Sequence, residues 1–133
     1  VLAWTDGAAL VAAGSPFAPV ATASGARAIP QGNNAFVFPG LGAGAIACGA
    51  TRITDGMVMA ASRAVADYTA AHHADALFPP VSALPVVSRA VAVAVIEAAV
   101  RDGVAGPEAA TASPPALAAG NAWQPRYLPV VRR

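Results

Sequence analysis

The sequence contains no lysine, because all eight of its basic residues are arginines. These 133 residues therefore cannot supply a lysine base or a Schiff-base lysine to an active site. Charged residues are also scarce, at 11% of the chain against roughly 25% in typical soluble domains, whereas hydrophobic residues reach 56%. A small domain with so few charges cannot cover its own surface, so we expect it to pack inside a larger body. A first residue of Val1 rather than methionine agrees with a piece of a longer protein.

Cysteine, excess charge and long apolar runs are also scarce or absent. The single cysteine, Cys48, excludes an internal disulfide and is typical of a reducing compartment. A net charge of +1 gives no electrostatic sign of nucleic-acid binding. The longest uninterrupted apolar run of the valine-rich region covers only residues 90–96, which is too short for a membrane span, and the amino end has no signal-peptide pattern. We therefore expect a cytoplasmic protein that binds neither nucleic acid nor a membrane.

What the sequence does contain is a polar turn, an apolar stretch and a glycine-rich segment in direct succession, at residues 31–44. The apolar residues 35–38 predict a short buried strand, and the Pro39-Gly40 pair after them predicts a break before a helix. Residues 8–13 predict a second buried, parallel strand, followed by an extended loop at residues 14–17. Proteins of the α/β class bind ligands beside such joints between a strand and a helix. We therefore assign the chain to the α/β class.

Polar side chains at these joints are the candidate ligand-binding groups. The adjacent carboxamides of Asn33 and Asn34 could hold a carboxylate and a second ligand group, or they could form an ordinary asparagine turn. The hydroxyl of Ser15, next to Gly14, is a weaker candidate, because a serine before a proline is usually just a turn residue.

The glycines that follow permit two interpretations. The spacing Gly40-x-Gly42-x-x-Ala45 matches a dinucleotide-binding fingerprint. That fingerprint needs an acidic residue at the end of the next strand, roughly 20 residues later, and the nearest acid, Asp55, opens a predicted helix instead. The alternative, which we favour, is that the glycines of this segment permit close packing of a helix.

Beyond this segment, the sequence predicts helices joined by loops. Hydrophobic periodicity together with capping residues predicts helices at residues 42–50, 55–70 and 85–102. Residues 19–30, which precede the asparagines, predict a loop or a weak hairpin around Ser24-Gly25.

The end of the chain predicts little regular structure. Residues 105–120 contain three prolines and predict a loose linker, and residues 123–133 predict an extended tail. We therefore divide the chain into a domain portion at residues 1–104 and a linker with a carboxyl-terminal tail at residues 105–133.

Several blocks of the sequence, in order, resemble the carboxyl-terminal part of malic enzymes, and most of all the bacterial branch. They are Trp4-Thr5-Asp6-Gly7, Gly14-Ser15-Pro16-Phe17, residues 31–40, Ala50-Thr51-Arg52-Ile53-Thr54-Asp55 and Trp123-Gln124-Pro125-Arg126-Tyr127. The Gln-Gly-Asn-Asn…Phe-Pro-Gly block is the specific one. The resemblance implies part of a Rossmann-type NAD(P)-binding domain, with about two short parallel strands and helices, followed by carboxyl-terminal helices and an extended tail.

The same resemblance implies the oxidative decarboxylation of (S)-malate to pyruvate and carbon dioxide, with reduction of NAD or NADP. The family's tyrosine acid, lysine base, Mg- or Mn-binding acids and first glycine-rich loop precede this segment, so we expect no catalytic residue and no metal ligand here. Only Asn33 and Asn34 match family residues, namely the carboxamides that contact the substrate and the nicotinamide end of the cofactor. The loop that contains Gly14 and Ser15 lies near the cofactor side in the family. The implied partners are malate or pyruvate, the rest of the enzyme chain, and further copies in a homo-oligomer, which is a tetramer in the family.

Two functions remain open at this point. The chain is either the end of the cofactor domain of a malic enzyme, inactive without its upstream part, or a non-catalytic truncated paralogue that serves as a nucleotide-binding or interaction module. An upstream reading frame with the tyrosine, the lysine and the acidic cluster would support the first function.

Overall fold

The computed structural model describes residues 1–122 and Tyr127. Three helices form its core: α1 at Phe38–Ala47, α2 at Asp55–His72 and α3 at Leu84–Arg101. Helix α3 is central, because α1 and α2 both pack against it. The predicted helices α2 and α3 are confirmed with ends within two residues, whereas α1 begins four residues earlier than predicted.

Helix α3 is buried because it is apolar on more than one side. Val87, Val91 and Val95 are completely buried, on successive turns of the helix. Pro85 lies in the first turn, where the missing backbone N–H leaves no hydrogen bond unmade. Gly103, with φ of 67°, follows the C-cap and ends the helix in the left-handed conformation that favours glycine.

Among the residues that the structure describes, one segment, Val81–Arg101, is long and apolar enough to cross a membrane by length and composition alone. It contains α3, whose buried valines belong to the core shared with α1 and α2. Core helices of globular domains have the same composition, so this segment is weak support for a membrane location.

Helix α2 presents a stripe of buried residues at four-residue spacing, Met57, Ala61, Val65 and Thr69. Thr54 is its N-cap: the hydroxyl oxygen accepts a hydrogen bond from the backbone N–H of Met57 at 3.1 Å. The same hydroxyl donates to the carboxylate of Asp102, the residue that follows α3. The cap of α2 is therefore also a direct link between the two helices.

Residues 1–35 contain little regular structure. A short antiparallel hairpin pairs β1 at Val20–Thr22 with β2 at Gly25–Arg27, which confirms the predicted hairpin. The guanidinium group of Arg27 donates to the carbonyl of Gly7 and ties the hairpin to the amino end.

The predicted parallel strands differ from what the structure contains. Residues 8–13 contribute a single parallel bridge, from Ala13 to Gln31, and no continuous strand. Residues 35–38 are not a strand: a 3-10 helix at Asn34–Phe36 leads directly into α1. Pro39 stands in the first turn of α1, where proline is favourable, and does not break the chain there. The α/β class is therefore present only in part, as helices with a two-stranded sheet and one parallel bridge.

The segment after α3 also differs from the predicted loose linker. It contains a 3-10 helix at Pro107–Ala110 and the helix α4 at Pro114–Gly120, which packs against α3. The prolines at positions 114 and 115 occupy the first turn of α4 and therefore start a helix. The predicted extended tail at residues 123–133 lies outside the described residues, apart from Tyr127.

Candidate functional site

The parallel bridge brings two of the predicted loops together. The backbone N–H of Ala13 donates to Pro30 at 3.0 Å, and the N–H of Gly32 donates to Ala13 at 2.9 Å. The two segments run in the same direction, so both continue from the bridge towards the same side. One leads to Gly14 and Ser15, and the other leads to the two asparagines. The structure therefore places all four candidate residues on two adjacent loops.

A side-chain contact also joins these loops. The carboxamide nitrogen of Gln31 lies 3.5 Å from the carbonyl oxygen of Gly14, at the limit for a hydrogen bond. Gln31 was not among the predicted site residues. Its position directly before the asparagines in the most specific sequence block was the signal that could have identified it.

Asn33 performs a local structural task. Its side-chain oxygen accepts a hydrogen bond from the backbone N–H of Ala35 at 2.9 Å, and its backbone is extended, with φ of −130° and ψ of 138°. This is the geometry of an N-cap, here for the 3-10 helix that begins at Asn34. The interpretation as an ordinary asparagine turn therefore describes the oxygen of Asn33.

Asn34 differs from its neighbour. Its side chain is exposed and forms no hydrogen bond with any residue that the structure describes. A carboxamide has two N–H donors and one acceptor oxygen, so all of these groups are available to a ligand. The structure thus distinguishes between two residues that the sequence alone could not separate.

Gly14 and Ser15 are both exposed. An added Cβ at Gly14 would have no neighbour within 4 Å, so no close packing explains a glycine there. Within the described part of the chain, the hydroxyl of Ser15 has no hydrogen-bond partner. These two residues remain predicted contacts without further structural support.

Two aromatic rings lie beneath the asparagine turn. Phe36, in the 3-10 helix, is buried to 1% exposure, and its ring stacks on that of Phe78 with centroids 6.2 Å apart and planes inclined by 16°. Phe78 comes from the connection between α2 and α3. Phe78 was not among the predicted site residues.

An open groove of about 390 Å³ lies beside the two loops. Its lining includes Pro16, Phe17, Gln31 and Phe78, and it is mainly apolar. Neither asparagine is among the described residues that line it. The groove and the exposed Asn34 therefore do not form a closed pocket by themselves.

The glycines of α1 serve packing. An added Cβ at Gly40 would lie 2.5 Å from the Cβ of Val91, and one at Gly44 would lie 2.7 Å from the carbonyl oxygen of Ala92. Gly42 faces open space. Gly40 and Gly44 are buried against α3, so the packing interpretation is confirmed for these two glycines, whereas it does not explain Gly42.

Nucleophilic and metal chemistry find no support in the described residues. Cys48 is buried, and burial raises the pKa of its thiol, which favours the unreactive protonated form. No group of three or more histidine, cysteine, aspartate or glutamate side chains within residues 1–122 could hold a metal ion. The candidate residues themselves offer hydrogen-bonding groups.

The class of protein follows from a family comparison. Residues 1–100 match the family described as malic enzyme, NAD binding domain. This match makes the chain part of a Rossmann-like NAD-binding domain of that family, in agreement with the partial α/β structure.

Curated relatives give the particular family. The chain is 48% identical over 132 residues to the NAD-dependent malic enzyme of Sodalis glossinidius, an alignment that covers 96% of this chain and 23% of the relative. It is 47% identical over 129 residues to the NAD-dependent malic enzyme of Pectobacterium atrosepticum, with the same coverages. It is 45% identical to the NAD-dependent malic enzyme of Pseudomonas syringae pv. tomato in an alignment 137 residues long. That alignment covers all of this chain and 24% of the relative. The chain belongs to the malic enzyme family and spans about a quarter of the length of these relatives.

Proposed function

We propose that this chain is the carboxyl-terminal part of the NAD-binding domain of a malic enzyme that converts (S)-malate and NAD to pyruvate, carbon dioxide and NADH. Three relatives at 45–48% identity are named NAD-dependent, which supports NAD rather than NADP as the cofactor. The chemistry requires residues from elsewhere in the enzyme, because this chain has no lysine and its described part has no metal-binding cluster. Mg or Mn, where the enzyme uses it, is held by those other residues.

The observation that carries the proposal is the free carboxamide of Asn34. It lies exposed three residues beyond the bridge that joins the two family-like loops, and its donors have no internal partner among the described residues. Malate carries two carboxylates, and an uncharged donor can orient one of them without adding charge beside a metal ion. A hydrogen bond to such a charged group is worth about 1.5–3 kcal/mol.

The other site residues have supporting roles in this proposal. Asn33 shapes the turn through its cap and can direct its amide N–H groups to the substrate or the nicotinamide end of the cofactor. Gly14 and Ser15, on the neighbouring loop, contact the cofactor side. This segment thus contributes orientation of hydride donor and acceptor, which accelerates a reaction without acid or base chemistry of its own.

The wider setting follows from the same proposal. The enzyme is a cytoplasmic homo-oligomer, a tetramer as in the family, and the remainder of its chain covers the apolar surface that the segment exposes. Large exposed apolar patches are typical of surfaces that meet a partner. Trp4, Leu10 and Phe17 are 87%, 55% and 63% exposed, which supports this arrangement.

The test compares the 133-residue chain with a full-length enzyme that contains it. The full-length enzyme should oxidise malate with NAD in a metal-dependent reaction and release pyruvate, and the isolated chain should show no turnover. Turnover by the isolated chain would contradict the proposal. A monodisperse isolated chain that binds no hydrophobic dye would instead favour a self-sufficient binding module.

A further inference from the structure

We propose that Phe78 is a positioning residue for the asparagine turn, and that it acts through Phe36 and Gly32 on the carboxamide of Asn34. This inference rests on the proposed function of Asn34. It adds that the connection between α2 and α3, more than 40 residues further along the chain, determines the placement of the ligand-binding group.

The contacts lie on both sides of the turn. The ring of Phe78 stacks on the buried ring of Phe36, at the carboxyl end of the 3-10 helix that Asn34 begins. The ring of Phe78 also packs against Gly32. A Cβ added at Gly32 would lie only 3.2 Å from the Cε2 atom of Phe78. Phe78 therefore touches the chain two residues after Asn34 and two residues before it.

Phe78 is itself held in place. Pro79, which follows it, is buried, and Pro80 has φ of −66° and ψ of 151° before the short 3-10 helix that leads into α3. The φ angles of Pro79 and Pro80 are fixed by their rings, and a residue before proline is confined to extended backbone, so the backbone at Phe78 has restricted freedom. The ring thus connects the turn to the rigid helical core.

The side chain of Asn34 has few restraints of its own. Gly14 and Ser15 on the neighbouring loop are exposed, and Asn34 itself makes no side-chain hydrogen bond within the described residues. The turn is also held by the cap from Asn33, by the bridge to Ala13 and by contacts of its 3-10 helix with α1 and α3. The ring of Phe78 adds a contact that reaches both sides of Asn34. Loss of the ring should let the turn relax. The carboxamide of Asn34 would then move away from the position in which it binds the substrate.

A double-mutant cycle in the full-length enzyme tests this inference. Phe78→Ala should lower kcat/KM for malate about tenfold, since displacement of a positioning group by about 1 Å can cost up to about 100-fold. It should change the same parameter, kcat or KM, that Asn34→Ala changes. In the Asn34→Ala background, Phe78→Ala should have less than about a twofold effect, because interacting residues are not additive. All assays run well below the melting temperature of every variant.

Two further variants separate positioning from stability. Phe78→Tyr keeps the ring and should retain nearly full kcat/KM. Leu84→Ala removes a partly buried side chain that packs on the same core at the start of α3, and it should lower the melting temperature without a change in kcat/KM.

Each outcome is decisive. If Phe78→Ala lowers only the melting temperature, or if its effect multiplies fully with that of Asn34→Ala, the positioning role is wrong while the proposed function stands. If Asn34→Ala alone leaves kcat/KM unchanged, the assignment of Asn34 fails first and the positioning role fails with it.

Discussion

Residues 1–35 and residues 36–122 differ sharply in how they are packed. In the first region only Gly7 is buried, and apolar side chains such as Leu10 and Phe17 are more than half exposed. In the second region, α1, α2 and α3 enclose a continuous core that includes Phe36, Met57 and Ile96. The helical region therefore holds the fold, whereas the amino-terminal region carries all four candidate ligand-binding residues.

Under the proposed assignment of the site, the two regions have different tasks. Loops that contact a ligand need exposed polar groups, so they contribute little to a core. They depend for their shape on a few contacts, here the bridge from Ala13 to Gln31, which joins the two loops, and the aromatic pair, which ties the asparagine turn to the helical region. Stability and ligand binding should therefore respond to different substitutions.

The largest difference in stability should appear between two matched substitutions of aliphatic side chains, one in each region. Ile96→Ala removes a completely buried side chain and should cost about 2–5 kcal/mol of the free energy of unfolding. Leu10→Ala, at a side chain 55% exposed, should cost less than about 0.5 kcal/mol. Urea denaturation of the 133-residue chain, followed by circular dichroism, measures both. Equal losses would show that the two regions share one core.

A second test uses the glycines of α1. Gly40→Ala places a Cβ against Val91 and the carbonyl oxygen of Ser88, and it should destabilise the chain by about 1–3 kcal/mol through overpacking. Gly42→Ala is the control, because its Cβ meets open space. It should stabilise α1 by up to about 1 kcal/mol, since glycine is unfavourable inside a helix. The same sign of change at both positions would refute the packing interpretation.

A third, smaller effect concerns threonine hydroxyls. Thr54→Ala removes the cap of α2 and the link to Asp102, and it should cost about 1 kcal/mol. Thr22→Ala removes a hydroxyl that donates to Gly25 at 2.8 Å within the exposed hairpin, and it should cost less than about 0.5 kcal/mol. Thermal melts of the two variants compare them directly. A larger loss from Thr22→Ala would mean that the hairpin is part of the stable unit.

The sequence predicted the helices whose ends are marked by local signals. Thr54 before α2, Pro85 within the first turn of α3 and Gly103 after it are recognisable without tertiary information. Two of the failures involved proline. Pro39 and Pro114 indicated a break and a linker, although each lies in the first turn of a helix, and sequence alone does not separate these two uses.

The candidate site was predicted only as a set of residues. The sequence identified Asn33 and Asn34 together, but which carboxamide caps a helix depends on a single backbone hydrogen bond, from Ala35. Phe78 was missed because its contact with Phe36 spans 42 positions and leaves no local pattern. Long-range contacts of this kind arise only from the packed fold.

The most direct test of the account compares the two adjacent asparagines in the full-length enzyme. Asn34→Ala should lower kcat/KM for malate by roughly 10- to 150-fold, through loss of about 1.5–3 kcal/mol of binding to a charged group. Its melting temperature should stay close to that of the unmodified enzyme, because the side chain is exposed. Asn33→Ala should instead lower stability by about 1 kcal/mol through loss of the cap, with a smaller effect on kcat/KM. Full activity in Asn34→Ala, or a larger loss of kcat/KM in Asn33→Ala, would contradict the account.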